Sequence, residues 1–191
     1  GMTCIVGMKI GKRVIIGGDS AGSTPNYVEI RKDEKVFKID DFIFGATTSF
    51  RMIQLIRYSF KPPQFKPAIG FQTTDGGIDL YRYMCTSFID GLRNCFKTGG
   101  FLMKEADGQE FGGMFLVGYH DNLFKIGSDF QVAEVQDDFT SVGSGCDFAL
   151  GAMKVLSENT KMDSMAIATK ALEVAAYYSP YVRPPFNFVS T

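Results

Sequence analysis

The chain has 191 residues, 45% hydrophobic and 21% charged, with a formal net charge of −1. That balance suits a folded domain with a full core and excludes a disordered chain. Without a basic run it lacks the counterion-release drive for nucleic-acid binding. No apolar run approaches the roughly 20 residues of a membrane span.

The four cysteines, Cys4, Cys85, Cys95 and Cys146, show no metal-like CxxC spacing. They read as reduced thiols in a cytoplasmic compartment, with no metal site. The single histidine, His120, falls in a turn-like Tyr119-His120-Asp121-Asn122 stretch. Any Ser-His-Asp or Cys-His mechanism would have to use it, and a His-rich zinc site is excluded. No signal peptide is expected. Gly1 reads as a remnant outside the fold, leaving one domain over 2–191.

Residues 3–10 and 13–19 are β-rich on either side of Gly11-Lys12, a hairpin signal. A two-residue loop pairs Thr3 with Ser20 and turns Asp19 to the other face. A three-residue loop over 10–12 sets Thr3 opposite Asp19, and a functional role for the pair requires this second register. The stretch 21–33 is polar and turn-rich. Residues 35–39 and 42–46 follow as short strands around Asp40-Asp41. Apolar residues at helical spacing predict a helix over 49–60.

Residues 61–77 predict a long loop. An amphipathic helix over 78–97 ends at Thr98-Gly99-Gly100. Strands are expected over 114–119, 123–126, 131–135 and 139–142, the last closed by Gly143-Ser144-Gly145. Helices over 147–157 and 163–178 follow, the second with Asp163 as N-cap and stopped by Pro180. Residues 186–189 read as a final strand. Strands, then helices, then strands and helices again argue α+β. Two face-to-face antiparallel sheets with a helix pair on each outer side, a four-layer αββα sandwich, would bury every apolar face.

Thr3 stands directly behind Met2. If Met2 is removed, Thr3 carries an amine and a hydroxyl on one residue. The amine's reference pKa of about 7.7–8.0 leaves a usable neutral fraction at pH 7, able to take the hydroxyl proton. Such a site needs no histidine. Asp19 and Lys35 lie sixteen residues apart at opposite strand ends. A lysine near the hydroxyl would lower its pKa, and an aspartate would hold that lysine charged. Gly143-Ser144-Gly145 could bring a hydroxyl and a backbone N–H to a reacting centre.

Together these residues resemble the proteasome β-subunit family, and most of all its bacterial HslV-type branch, which pairs with a ring ATPase. Thr3, Asp19 and Lys35 stand at the family's two sixteen-residue intervals. The segments 35–40, 143–148, 156–160 and 171–175 carry the rest of the likeness. The resemblance implies the αββα fold of N-terminal nucleophile hydrolases and a homo-oligomeric ring. It implies a protein or peptide substrate, an ATPase unfoldase as partner and no cofactor. It also implies roles: Thr3 as nucleophile and base, Lys35 tuning the hydroxyl, Asp19 holding Lys35, and Ser144 supporting the Thr3 amine.

The chain departs from the family pattern in three places. Thr47 or Thr48 falls where the family has a glycine whose N–H serves the oxyanion. Residues 176–179 lack the family's acid, although Ser179 matches its serine. The 61–77 loop is longer than in the bacterial branch. An inactive scaffold subunit of the same fold, and a ring-free small-molecule amidohydrolase, are the alternative readings.

Overall fold

The structure is a computed structural model and describes residues 3–66, 77–101, 103–104, 110–159 and 161–191. Most of the long loop expected over 61–77 lies outside the described residues. The chain opens with a hairpin, β1 (Ile5–Ile10) and β2 (Arg13–Gly18). Gly11 takes the left-handed turn conformation, φ 59°, that the tight connection demands. A two-stranded ribbon follows, β3 (Ala21–Ser23) and β4 (Val28–Ile30), inside the stretch that reads as turn-rich. Strands β5 (Val36–Ile39) and β6 (Phe42–Ala46) lead into helix α1 (Phe50–Ser59). The Ser49 side chain accepts from the N–H groups of Arg51 and Met52 and caps that helix.

The expected helix over 78–97 is present with a change of pitch. It runs as α2 (Gly77–Tyr83), a wider π-helical turn (Met84–Phe88) and α3 (Ile89–Thr98). Then come a short ribbon, β7 (Met103–Lys104) with β8 (Glu110–Phe111), and strands β9 (Phe115–Tyr119), β10 (Asn122–Ile126), β11 (Val132–Ala133) and β12 (Phe139–Val142). Helices α4 (Cys146–Asn159) and α5 (Ser164–Tyr178) precede the last strand, β13 (Asn187–Ser190). The Asp163 carboxylate accepts from the Ala166 N–H at 2.8 Å and starts α5.

Two sheets organise these elements. One runs β12-β1-β2-β13 and the other β11-β10-β9-β6-β5, with every pairing antiparallel. Strand alternation sorts their side chains into three apolar layers. Cys4, Val6, Met8 and Ile15 point from the first sheet to Ala149, Met153, Ala168, Ala171 and Leu172 of α4 and α5. Ile5, Val14 and Ile16 point the other way and meet Val36, Ile43, Leu116 and Leu123 of the second sheet. The outer face of that sheet, with Phe37, Phe44, Phe115 and Phe124, packs under α1, the π-helical turn and α3 through Met52, Ile56, Phe88 and Phe96. Three apolar layers between four layers of secondary structure make an αββα sandwich, as expected. The sheets approach closely: a Cβ on Gly45 would fall 2.5 Å from methyl groups of both Ile5 and Ile16.

The hairpin register corrects one expectation. Ile10 pairs with Arg13 and Ile5 with Gly18, so the loop has two residues, not three. By alternation Asp19 should then face α4 and α5, away from Thr3. It does not, because the ladder ends at Gly18. Beyond it the chain turns out of the sheet toward β3, and alternation no longer governs the side chain.

Candidate functional site

At one end of the inter-sheet layer the apolar filling gives way to a buried polar cluster. Thr3, Asp19, Ser20, Lys35 and Thr47 are all at most 4% exposed. Thr3 enters from the start of β1, Asp19 from the end of β2 and Lys35 from the residue before β5. Lys35 Nζ donates to Thr3 Oγ1 at 2.7 Å and to Asp19 Oδ1 at 2.8 Å. The Thr3 hydroxyl also donates to Asp19 Oδ1. Nucleophile candidate, ammonium and carboxylate thus form one closed hydrogen-bonded set, although the register differs from the one thought necessary.

Asp19 reaches Thr3 because its carboxylate is gripped by main-chain groups. Oδ1 accepts from the Cys4 N–H at 3.2 Å, and Oδ2 accepts from the N–H groups of Ala21 at 3.0 Å and Arg183 at 3.1 Å. With Lys35 this surrounds a fully buried carboxylate with donors, the condition for keeping a charge out of water. Lys35 is pulled in two directions. Burial lowers its pKa below the ordinary lysine value, while the Asp19 charge and hydrogen bond oppose that shift. Cys4, next to Thr3, points to the helix side. Burial raises its thiol to about 12, so it is a neutral packing group.

Gly143-Ser144-Gly145 closes the cluster between β12 and α4. The Thr3 N–H donates to Ser144 Oγ at 3.1 Å, and the Ser144 hydroxyl donates back to the Thr3 carbonyl at 3.3 Å. Gly145 N–H donates to the same carbonyl at 3.1 Å. Gly143 has φ 103°, and a Cβ there would lie 2.4 Å from the Thr3 carbonyl oxygen. Only glycine lets the turn come this close.

A pocket of about 130 Å³ opens over Thr3, lined by Ala21, Lys35, Ala46, Thr47, Thr48 and Phe50 among others. The two oxyanion candidates on its wall differ. Thr47 N–H donates to the Met114 carbonyl at 3.1 Å, and Thr47 Oγ1 donates to the same atom at 2.7 Å. Thr48 has φ 73°, an uncommon conformation for a non-glycine residue, and its hydroxyl accepts from the Met114 N–H at 3.3 Å. Ser179 stands apart from this set. Its N–H donates to the Ala175 carbonyl at the end of α5, and its Oγ accepts from the Tyr181 N–H at 3.4 Å. His120 occupies the β9–β10 turn, φ 52°, and does not line the pocket. Among the described residues no group of three or more His, Cys, Asp or Glu is arranged to hold a metal ion. Among them, too, no helix is long and apolar enough to cross a membrane.

Sequence reasoning missed the C-terminal side of the site. The Arg183 amide holds Asp19, while Ser20 bonds both Arg183 and Pro185. These contacts link residues more than 160 positions apart, mostly through backbone atoms, which leave no side-chain signature.

The four layers, with this cluster at one end of the sheets, give the chain a proteasome-like fold. No family model matches the chain. Solved structures to which it is similar include a Thiobacillus denitrificans protein, BPH, in complex with epoxomicin, at TM-score 0.75 and 18% identity over 99% of this chain and 98% of that one. Eukaryotic HslV from Trypanosoma brucei aligns at TM-score 0.65 and 18% identity over 98% of both chains. In sequence, the ATP-dependent protease subunit HslV of Caldicellulosiruptor saccharolyticus is 36% identical over 63 residues, 33% of this chain and 36% of that one. The subunit of the same name from Borrelia duttonii is 40% identical over 63 residues. The matched stretch spans about a third of the length of these curated relatives. The resemblance to the proteasome β-subunit and HslV-type family therefore holds in fold across the chain and in sequence over one third of it.

Proposed function

We propose that the chain is a threonine-type peptidase subunit that cleaves peptide bonds through an acyl-enzyme on Thr3. The observation that carries this reading is Lys35 Nζ, bonded at 2.7 Å to Thr3 Oγ1 and at 2.8 Å to Asp19 Oδ1 in a buried pocket. An ammonium beside the hydroxyl favours its ionised form, and the carboxylate keeps that ammonium charged.

The mechanism starts once Met2 is gone. The free Thr3 amine, held by Ser144, takes the hydroxyl proton directly or through a water. Thr3 Oγ1 then attacks the scissile carbonyl. Because Thr47 N–H is engaged with Met114, Thr48 is the better of the two oxyanion candidates. The proton passes to the leaving amine, and the acyl group stays on Oγ1. Water, deprotonated by the same amine, attacks the ester, and the returning proton restores the hydroxyl. While Gly1-Met2 remain attached the Thr3 nitrogen is an amide and cannot act as base, so the untrimmed chain is inactive.

The relatives' names, which call them ATP-dependent protease subunits, support a place in a larger assembly; we extend this to a self-compartmentalising homo-oligomeric ring with an ATPase partner that delivers unfolded protein. The free thiols Cys4, Cys85, Cys95 and Cys146 agree with a reducing, cytoplasmic setting. The test is a peptide-cleavage assay on the chain trimmed to Thr3, beside Thr3→Ala and beside the untrimmed chain. Cleavage confined to the trimmed Thr3 protein supports the reading; equal activity in all three overturns it.

Two observations favour a second reading, an inactive scaffold subunit of the same fold. The positive φ of Thr48 places a side chain where the family uses glycine, and residues 176–179 carry no acid. Epoxomicin, held by the Thiobacillus structure, separates the two: covalent capture at Thr3 supports the enzyme, and no capture in trimmed protein supports the scaffold.

A further inference from the structure

We propose that Ser20 and Asn187 are positioning residues, locking Asp19 against Lys35 through the C-terminal segment 183–187. The catalytic consequence rests on the peptidase reading above; the electrostatic consequence does not.

Asp19 lies beyond the last ladder pair, Ile5 with Gly18, so strand register does not aim its carboxylate. Its own N–H makes only a long bond, 3.3 Å, to the Cys4 carbonyl. Something else must fix residues 19–20, and the structure provides a bracket. Ser20 N–H donates to the Arg183 carbonyl at 2.8 Å, and Arg183 N–H donates to Asp19 Oδ2 at 3.1 Å. The Ser20 hydroxyl donates to the Pro185 carbonyl at 2.6 Å and accepts from Asn187 Nδ2 at 3.3 Å. The Ser20 carbonyl accepts from the Arg31 N–H at 2.7 Å. Every polar atom of a residue 2% exposed is therefore used. Asn187 in turn sits on β13, in register with Gly18 of β2. The bracket is thus anchored in the sheet that also carries Thr3.

The Ser20 hydroxyl is the only side-chain group inside this bracket that both gives and takes a bond. Removing it leaves the Pro185 carbonyl and the Asn187 amide without their partner. The segment carrying the Arg183 amide then loosens, and Asp19 Oδ2 loses one of its two main-chain donors while keeping the Ala21 N–H. Lys35 feels the change. Facing it are Asp19 from the end of β2, Thr3 and Cys4 from the start of β1, and Arg31 beyond β4. Burial and the Arg31 cation both oppose its charge, and Asp19 is its principal support. A displaced Asp19 carboxylate must therefore let Lys35 lose its proton at lower pH.

The experiment follows the Lys35 ammonium by ¹⁵N NMR across pH in the unsubstituted chain, Ser20→Ala, Ser20→Thr and Asn187→Ala. The expected result is a Lys35 midpoint about half a pH unit or more lower in Ser20→Ala, about a threefold change in proton affinity. Ser20→Thr, which keeps the hydroxyl, restores most of it, and Asn187→Ala gives a smaller shift of the same sign. In trimmed protein, kcat for a peptide substrate falls about tenfold in Ser20→Ala with KM within about twofold. A Lys35 midpoint unchanged in Ser20→Ala, with only a lower Tm, overturns the proposal. If Ser20→Ala does not fold, Asn187→Ala decides by the same criterion. Failure of the peptidase reading appears separately, as no turnover by the unsubstituted trimmed chain, and leaves the titration to judge Ser20.

Discussion

The space between the two sheets holds two regions built on opposite terms. Most of it is filled by Ile5, Val14, Ile16, Val36, Ile43, Leu116 and Leu123, which carry no polar side-chain atom. At one end the same pair of sheets buries Thr3, Asp19 and Lys35, two of them charged. The apolar region gains from leaving water, about 25 cal/mol per Å² of surface. The polar end gives up hydration that an ion pair recovers only through good geometry and full hydrogen bonding. An apolar replacement of similar volume would serve stability as well or better. The polar end therefore fits the catalytic role proposed for it better than a role in stability, and the apolar region beside it holds it in place.

Substitutions should separate the two regions. The largest effect is expected from Lys35→Ala. Activity of the trimmed chain should fall by about 10² or more, as for loss of a group that stabilises developing charge. Chemical denaturation should also register a loss of about 3–5 kcal/mol, because Asp19 stays buried without its cation. Ile16→Ala should lower stability without a comparable loss of activity. A loss of about 2–5 kcal/mol in urea unfolding is expected from the cavity. The kcat measured well below Tm should stay within a few-fold of the parent, since Ile16 touches none of Thr3, Asp19 or Lys35 by hydrogen bond.

The pH dependence sharpens the contrast further. Burial holds the folded pKa of Lys35 below its unfolded value, so between the two the unfolded chain binds the extra proton. The Lys35 contribution to stability therefore rises with pH through that window. Peptide cleavage should fall through the same folded pKa, because the neutral amine no longer lowers the hydroxyl pKa. A stability-against-pH series and a rate-against-pH series should thus move in opposite directions on the alkaline side. The smallest effect is expected far from both regions. Lys170→Ala breaks an exposed ion pair with Glu173 and should change stability by no more than about 0.5 kcal/mol, with activity unchanged.

How much of this was legible in the sequence depends on which atoms carry the structure. Alternation and helical spacing placed β1, β2, β5, β6, α1, α4 and α5 within a residue or two, because side chains determine those elements. That Thr3, Asp19 and Lys35 form one cluster is legible for the same reason. The hairpin register does not decide the site, because Asp19 lies outside a ladder that stops at Gly18. The β3–β4 ribbon went unseen because three-residue strands such as Ala21-Gly22-Ser23 hold too few side chains to show a period. The Arg183 and Ala21 amides that grip Asp19 are backbone groups, invisible to any reading of residue types.

The central claim is that the Thr3 hydroxyl, with its own free amine, is the nucleophile. Intact-mass measurement after treatment with an electrophile directed at an N-terminal threonine tests it most directly. A single adduct, mapped to Thr3, is expected on the chain trimmed to Thr3, and none on the untrimmed chain or on Thr3→Ala. An adduct on another residue, or equal labelling of trimmed and untrimmed protein, would contradict it.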